Sequence, residues 1–311
     1  MTLRTGLVLA RVGHKFRIAT EGVEVDAVLR GKARRSGGEG GRESGGRHDR
    51  VVVGDRVTLD AGYRGVLGIA AVLPRRNLLE RRTPMGRGNR PVAANLDRVF
   101  VVTAASDPAP IPQLIDRLTA IAQANDIPTA LVINKADLDP GTGLAERYRN
   151  AGYEVYPVSA RIGTGLAPFF EALRGKESLL TGPSGVGKSS LLNRLQPGLG
   201  LRTREISEKV RRGKQTTVAA VMIPLVTGGW LVDTPGFSEV GLWGIEPREL
   251  ASCFPEMRVA LESCKFPDCS HRTEPGCAVR QAISAGTIHP DRYASYLVLL
   301  EELMSAPKDW E

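Results

Sequence analysis

No uninterrupted apolar run in this sequence of 311 residues is long enough to span a bilayer, which argues against a helical membrane protein. The first residues set Arg4 and Arg11 around a very short apolar stretch and show no small-residue cleavage pattern, so no secretory leader is expected. Cysteine is scarce. Four in a chain of this length cannot build a disulfide scaffold, and three of them fall between residues 264 and 277, a grouping that in a reducing cytosol points to metal. Acidic side chains are also in deficit. Thirty-four Asp and Glu stand against 42 Lys and Arg, a net charge of +8, which suggests a polyanionic partner or a soluble protein that is simply basic. Hydrophobic residues make up 42%, too many for a wholly disordered chain, and the length leaves room for two or three domains.

The first part of the chain reads as short strands: residues 6–10, 15–19, 23–29, 55–59 and 65–73. Five such strands with glycine-bearing turns fit a small antiparallel barrel, taken here as an OB-fold, although the period of two does not choose among small barrels. Residues 30–50 carry seven Gly, seven Lys or Arg and no aliphatic side chain larger than Ala33, the composition of a flexible basic loop. Residues 75–90 carry six Arg against Glu80 and are expected to be a basic linker out of the barrel.

From Asp97 onward the pattern changes. A wholly apolar run at 99–102, a second apolar run at 129–133 and strands at 154–158 and 178–181 alternate with helical segments at 111–124, 144–151, 166–173 and from Lys188, the signature of a parallel sheet covered on both faces. Strands at 218–224 and 230–233 close the unit. Beyond about residue 245 the sequence turns helical and ends in an amphipathic stripe of Tyr293, Tyr296, Leu297, Leu300 and Leu303, read as a packing helix. The expected units are 1–90, 91–245 and 246–311.

Gly182, Pro183, Ser184, Gly185, Val186, Gly187, Lys188 and Ser189, followed by Ser190, match the phosphate-loop pattern between an apolar strand and a helix, the context that pattern requires. Backbone N–H groups of such a loop converge on phosphates, the lysine reaches the β and γ oxygens, and the serine hydroxyl binds Mg²⁺. Asp233 ends a later apolar strand and begins Asp-Thr-Pro-Gly, where it could hold a magnesium-bound water while the Gly236 N–H meets the γ-phosphate. Asn134, Lys135, Ala136 and Asp137 follow another apolar strand. One carboxylate can accept both N1–H and N2–H₂ of guanine and would repel the N1 acceptor of adenine, so GTP is the expected nucleotide. Alone, this tetrapeptide could equally be a helix start with Asn134 as cap. Ser159 and Ala160 follow the next strand and fit the small-residue contact over the guanine ring.

In most GTPases the base-reading tetrapeptide follows the phosphate loop, and here it precedes it, so the domain is expected to be circularly permuted. A parallel α/β domain whose natural termini lie close together tolerates that rearrangement. The segment after Asp233 then runs straight into the C-terminal unit. Cys264, Cys269, His271 and Cys277 offer three thiolates and an imidazole, the closed ligand set of one structural zinc ion. Chance grouping of core cysteines is the alternative. Cys253 is read as a buried free thiol and His289 as a helix-start residue.

The order of these motifs, followed by Cys-x₄-Cys-x-His-x₅-Cys and preceded by a small barrel, resembles the ribosome small-subunit-dependent GTPase A family (RsgA, also called YjeQ). The resemblance implies a cytoplasmic GTPase that binds the 30S subunit and its 16S rRNA late in assembly, is stimulated by that subunit and helps to release an assembly factor such as RbfA. It implies guanine reading by Asn134, Lys135 and Asp137, phosphate binding by 182–189 and zinc binding by Cys264, Cys269, His271 and Cys277. A monomer that binds GTP and GDP and no membrane is expected. The family's switch I segment often reads Gly-x-His-Thr-Thr, whereas this chain has Gln215 before Thr216 and Thr217. Thr217, with Thr216 as fallback, is expected to bind Mg²⁺ and the γ-phosphate. Gln215 could orient the attacking water, though an amide cannot act as a general base. Phe237 stands where Ras-like proteins carry a polar residue, so slow intrinsic hydrolysis accelerated by a partner is expected.

Three stretches, 30–50, 75–90 and 202–214, together carry thirteen net positive charges, which leaves the rest of the chain at −5. Charge gathered into loops favours RNA as the polyanion, with rRNA contact at 202–214 coupled to hydrolysis. A protein-directed regulator that docks through its zinc module is one rival reading. A binding module with a vestigial nucleotide site is the other.

Overall fold

The structure, a computed structural model, describes residues 4–35, 50–60, 66–82, 89–199, 220–234, 242 and 245–305. Five N-terminal strands, β1 (Arg4–Val12), β2 (Lys15–Thr20), β3 (Val23–Arg35), β4 (Arg56–Asp60) and β5 (Leu67–Val72), form a closed barrel. Its neighbour order β1-β2-β3-β5-β4 returns to β1, with β3–β5 parallel and every other pair antiparallel. That topology is the OB arrangement, which the period alone could not select. β3 continues to Arg35, so the start of the expected basic loop is strand, and residues 36–49 lie outside the described residues.

β1 is apolar from Gly6 to Ala10 because it is buried on both sides. Val8 points into the barrel core with Ile18, Val57 and Ile69, and Leu7 and Leu9 point outward into the core shared with the next unit. Part of the expected linker at 75–90 is strand instead, and residues 83–88 lie outside the described residues. Residues 78–82 form β6 (Leu78–Arg82), paired antiparallel with β7 (Asn89–Ala94). Arg75 does not reach solvent as a loop charge would. Its Nε and one terminal nitrogen bind the two Asp55 carboxylate oxygens at 2.6 and 2.8 Å, and both side chains are buried.

The central unit runs β8 (Arg98–Ala104), α1 (Pro112–Ala124), β9 (Thr129–Asn134), α2 (Thr142–Asn150), β10 (Glu154–Pro157), α3 (Leu166–Leu173), β11 (Glu177–Thr181), α4 (Lys188–Leu195), β12 (Val221–Pro224) and β13 (Trp230–Asp233). Strands β10-β9-β8-β11-β13 are parallel and β12 lies antiparallel at the end. Alternate residues of one strand feed two cores, as a sheet covered on both faces requires. In β8, Val99 and Val101 face the core under α1, while Phe100 and Val102 face Phe169 of α3 and Leu191 and Leu192 of α4. β12 also pairs with β1 at Val221 and Ala10, so one continuous sheet runs from the central unit into the barrel.

The C-terminal unit comprises a 3₁₀ helix at Pro247–Cys253, α5 (Pro255–Leu261), α6 (Ala278–Ser284) and α7 (Pro290–Ser305). His289 is the helix-start residue of α7, its Nδ1 accepting the Asp291 N–H at 3.1 Å. Tyr296 and Leu300 of the expected stripe are buried and pack in the core with Leu118 and Ile121 of α1. Arg292, one turn before Tyr296 on that stripe, is only 1% exposed. It pairs with Asp116 of α1 and binds Glu256 of α5 at 2.6 Å, and its guanidinium lies 4.6 Å from the Phe254 ring and 5.1 Å from that of Tyr148. Among the described residues no helix is long and apolar enough to cross a membrane.

Candidate functional site

The motif residues that lie in described segments gather where the parallel strands end. β9 delivers Asn134, the loop after β10 delivers Ser159 and Ala160, β11 leads into Gly182, and β13 ends on Asp233. In open α/β sheets this carboxyl edge is where ligands bind. A cleft of about 450 Å³ opens there, bordered by Asn134, Lys135, Asp137, Ala160, Gly187 and Ser190.

Asn134 is buried and joins the two loops. Its Nδ2 donates to the Val186 carbonyl at 2.8 Å, and its Oδ1 accepts the Ala160 N–H at 3.0 Å. Asparagine is the right residue because its amide offers both a donor and an acceptor in one plane. The helix-cap alternative therefore does not hold: α2 begins eight residues later, at Thr142. Gly187 is required by the same contact. Its φ is 91°, and a Cβ there would stand 2.3 Å from Asn134 Nδ2. Gly182 is required by another, since a Cβ would stand 2.0 Å from the Val102 carbonyl oxygen.

Lys188 folds its ammonium over the loop, donating to the Gly182 and Pro183 carbonyls at 2.7 Å each. Burial pulls it below the ordinary lysine value, and nearby Asp233 acts the other way. Lys135, in a left-handed conformation, donates to the Asp107 carbonyl. Asp137 accepts the Ser159 hydroxyl and pairs with Arg161 at 2.8 Å. The Ser159 hydrogen bond, helped by Arg161, holds its carboxyl below the usual aspartate value. The site thus presents an ionised acceptor beside a cationic phosphate loop.

Two arginines beyond the sequence motifs border this cleft. Arg161 caps Asp137, and Arg194 on α4 donates to the Ala160 carbonyl at 2.7 Å and to the Arg161 carbonyl. No local pattern marks either: Arg194 sits 34 residues from its partner. Gln215, Thr216, Thr217, Gly236 and Phe237, with the basic stretch 202–214, lie outside the described residues.

Cys264, Cys269, His271 and Cys277 come together, with one donor atom from each lying within 4.8 Å of all the others. His271 Nδ1 is 3.6 Å from the Cys264 sulfur and 3.5 Å from that of Cys277. Ligands held at zinc bond lengths around one tetrahedral ion are about 3.6 Å apart, so the set fits such an ion. Burial lowers His271 from its usual value, which favours the neutral imidazole that a metal needs. Tyr293 and Tyr296 of α7 brace the cluster by donating to the His271 and Ser270 carbonyls at 2.7 and 3.0 Å. Cys253 is buried and free, its thiol pushed up to about 11 by burial.

The RsgA GTPase family model matches residues 72–243. A small ribosomal subunit biogenesis GTPase RsgA from Gemmatimonas aurantiaca is 46% identical over 310 residues, covering 97% of this chain and 98% of the relative. Its counterpart from Moorella thermoacetica is 39% identical over 307 residues, covering 98% and 99%. Among solved structures, YjeQ from Thermotoga maritima superposes with a TM-score of 0.77 at 32% identity, over 98% of this chain and all of that one. YloQ, a circularly permuted GTPase, does so with a TM-score of 0.74 at 28% identity, over 99% and 97%.

Proposed function

The chain belongs to the RsgA GTPase family and is a circularly permuted GTP hydrolase; on that premise we propose that it acts in biogenesis of the small ribosomal subunit, as its relatives' names state for them. In this reading Asp137 accepts the N1–H and N2–H₂ of guanine, while Asn134 and Lys135 hold the base loop and Ala136, Ser159 and Ala160 border the ring. Gly182, Pro183, Ser184, Gly185, Val186, Gly187 and Ser190 supply the phosphate cradle, and Lys188 contacts the β and γ oxygens. GTP hydrolysis implies magnesium with the nucleotide, which neutralises charge on the β and γ oxygens; Ser189 and Thr217 would ligate it, with Asp233 on a bound water. Gly236 would meet the γ-phosphate and Gln215 would orient the attacking water. The observation that carries the reading is the double hydrogen bond of Asn134, which ties the phosphate loop to the base loop across one cleft.

The Cys/His cluster would hold one structural zinc ion through all four side chains. Four ligands close the coordination shell, so its contribution is folding of the C-terminal unit. The units 1–90, 91–245 and 246–311 would act as barrel, GTPase domain and zinc-bearing helical domain of a cytoplasmic monomer. The partner is the 30S subunit with its 16S rRNA, which stimulates a slow intrinsic hydrolysis and from which an assembly factor such as RbfA is released. GTP hydrolysis by the purified chain, with and without 30S subunits at two salt concentrations, tests this. Stimulation that fades steeply as salt rises is the expected result, because phosphate contacts release counterions. Several turnovers per second without subunits, or stimulation indifferent to salt, would count against it. Neutralising Arg211 and Arg212 should lower the stimulated rate and leave the basal rate alone.

A further inference from the structure

The carboxylate proposed to read guanine already carries a ligand of its own. Arg161 Nε stands 2.8 Å from Asp137 Oδ2, while the Ser159 hydroxyl occupies Oδ1, and both Arg161 and Asp137 border the nucleotide cleft. An arginine side chain ends in a planar fork of N–H donors. The edge of guanine that Asp137 would read, N1–H beside N2–H₂, is the same chemical fragment: two nitrogens on one carbon, both donating in one plane. Arg161 and the base therefore ask for the same lone pairs.

The backbone at this point is fixed and the side chain is not. Arg194 binds the carbonyls of Ala160 and Arg161, and Asn134 accepts the Ala160 N–H. Arg161 itself is 73% exposed. Its guanidinium can leave Asp137 by rotation about its own side-chain bonds without disturbing the loop that frames the base.

We propose that Arg161 is an internal competitor for guanine, a built-in mimic of the base edge that caps Asp137 in the nucleotide-free chain and must swing away for nucleotide to enter. The proposal rests on the reading of Asp137 as the guanine acceptor. The pair is open to water on its arginine side, although the Asp137 side chain is 6% exposed, so it is weak and tunes affinity without blocking the site.

The test is a titration of the full chain with GDP and with xanthosine diphosphate (XDP), each carrying a fluorescent group on the ribose. Arg161→Ala should tighten GDP by about two- to fivefold, the range of an exposed ion pair. Asp137→Asn replaces one acceptor oxygen by a donor and should move the preference to XDP, whose C2 oxygen accepts where guanine donates. In that background no carboxylate remains for Arg161 to cap, so adding Arg161→Ala should no longer tighten binding. Weaker or unchanged GDP binding in Arg161→Ala, or equal tightening in both backgrounds, would overturn the proposal. If Asp137→Asn does not move the preference to XDP, the reading of Asp137 fails and the proposal falls with it, whereas a moved preference with GDP binding unchanged in Arg161→Ala overturns the proposal alone.

Discussion

Two arginine–carboxylate pairs in this molecule differ mainly in depth. Arg292 is 1% exposed, pairs with Asp116 and Glu256 and lies among aromatic rings where the C-terminal unit meets α1. The Arg161 side chain is 73% exposed, that of Asp137 6%, and the two pair at the mouth of the candidate cleft. The buried pair has no substitute in water once formed, because removing one member strands a desolvated charge. The exposed pair can trade its partner for another donor at little cost. One fixes the architecture, and the other leaves a binding site ready for exchange.

The largest expected effect follows from the buried pair. Arg292→Met fills a similar volume but leaves Asp116 and Glu256 without a cation, and should cost about 3–5 kcal/mol in a denaturant titration. A loss below about 1 kcal/mol would mean that the pair is no more than a surface contact. Next comes Gly187→Ala, which forces a side chain into a left-handed backbone and against Asn134 Nδ2. Losing the Asn134 bridge should weaken GDP binding by about tenfold, some 1.4 kcal/mol, with a smaller loss of stability from the strained backbone. An equal loss of affinity and stability would place the bridge with the architecture instead of the site. Smaller still is the two- to fivefold tightening expected of Arg161→Ala.

The smallest effect is an expected absence. The Asp137 carboxyl is held below the usual aspartate value by Ser159 and Arg161, so its ionised acceptor form is complete at neutral pH and is lost only as pH falls through that lowered value. GDP affinity should therefore show no step from this group between about pH 8 and pH 5. A binding transition near pH 6 that disappears in Asp137→Asn would contradict the lowered value.

Much of the candidate site was legible because it depends on chain-local chemistry. Gly182 to Ser189 must follow a strand and open a helix, and Asn134 to Asp137 must follow a strand, so spacing and apolar runs reveal both. What was not legible depends on distant partners. Arg75 reads as linker charge by composition, yet Asp55, twenty residues earlier, takes it into the interior. The pairing of Leu78–Arg82 with Asn89–Ala94 likewise overrides the basic composition between 75 and 90. Arg292 lies on the same helical stripe as Tyr296 and Leu300, but a rule that tracks apolar residues passes over it, because only Asp116, Glu256 and Phe254 make burial of a guanidinium tolerable. Arg161 and Arg194 escaped notice for the same reason: their roles are set by the loop and carboxylate they meet across the cleft.

The central claim is that the cleft between the Asn134 loop and the phosphate loop is the guanine-reading site of the hydrolase. Its most direct test is the rate of phosphate release from GTP and from xanthosine triphosphate by the Asp137→Asn chain with magnesium. The expected result is turnover of the xanthosine nucleotide with GTP hydrolysis largely lost; undiminished GTP hydrolysis, with the xanthosine nucleotide untouched, would contradict the assignment.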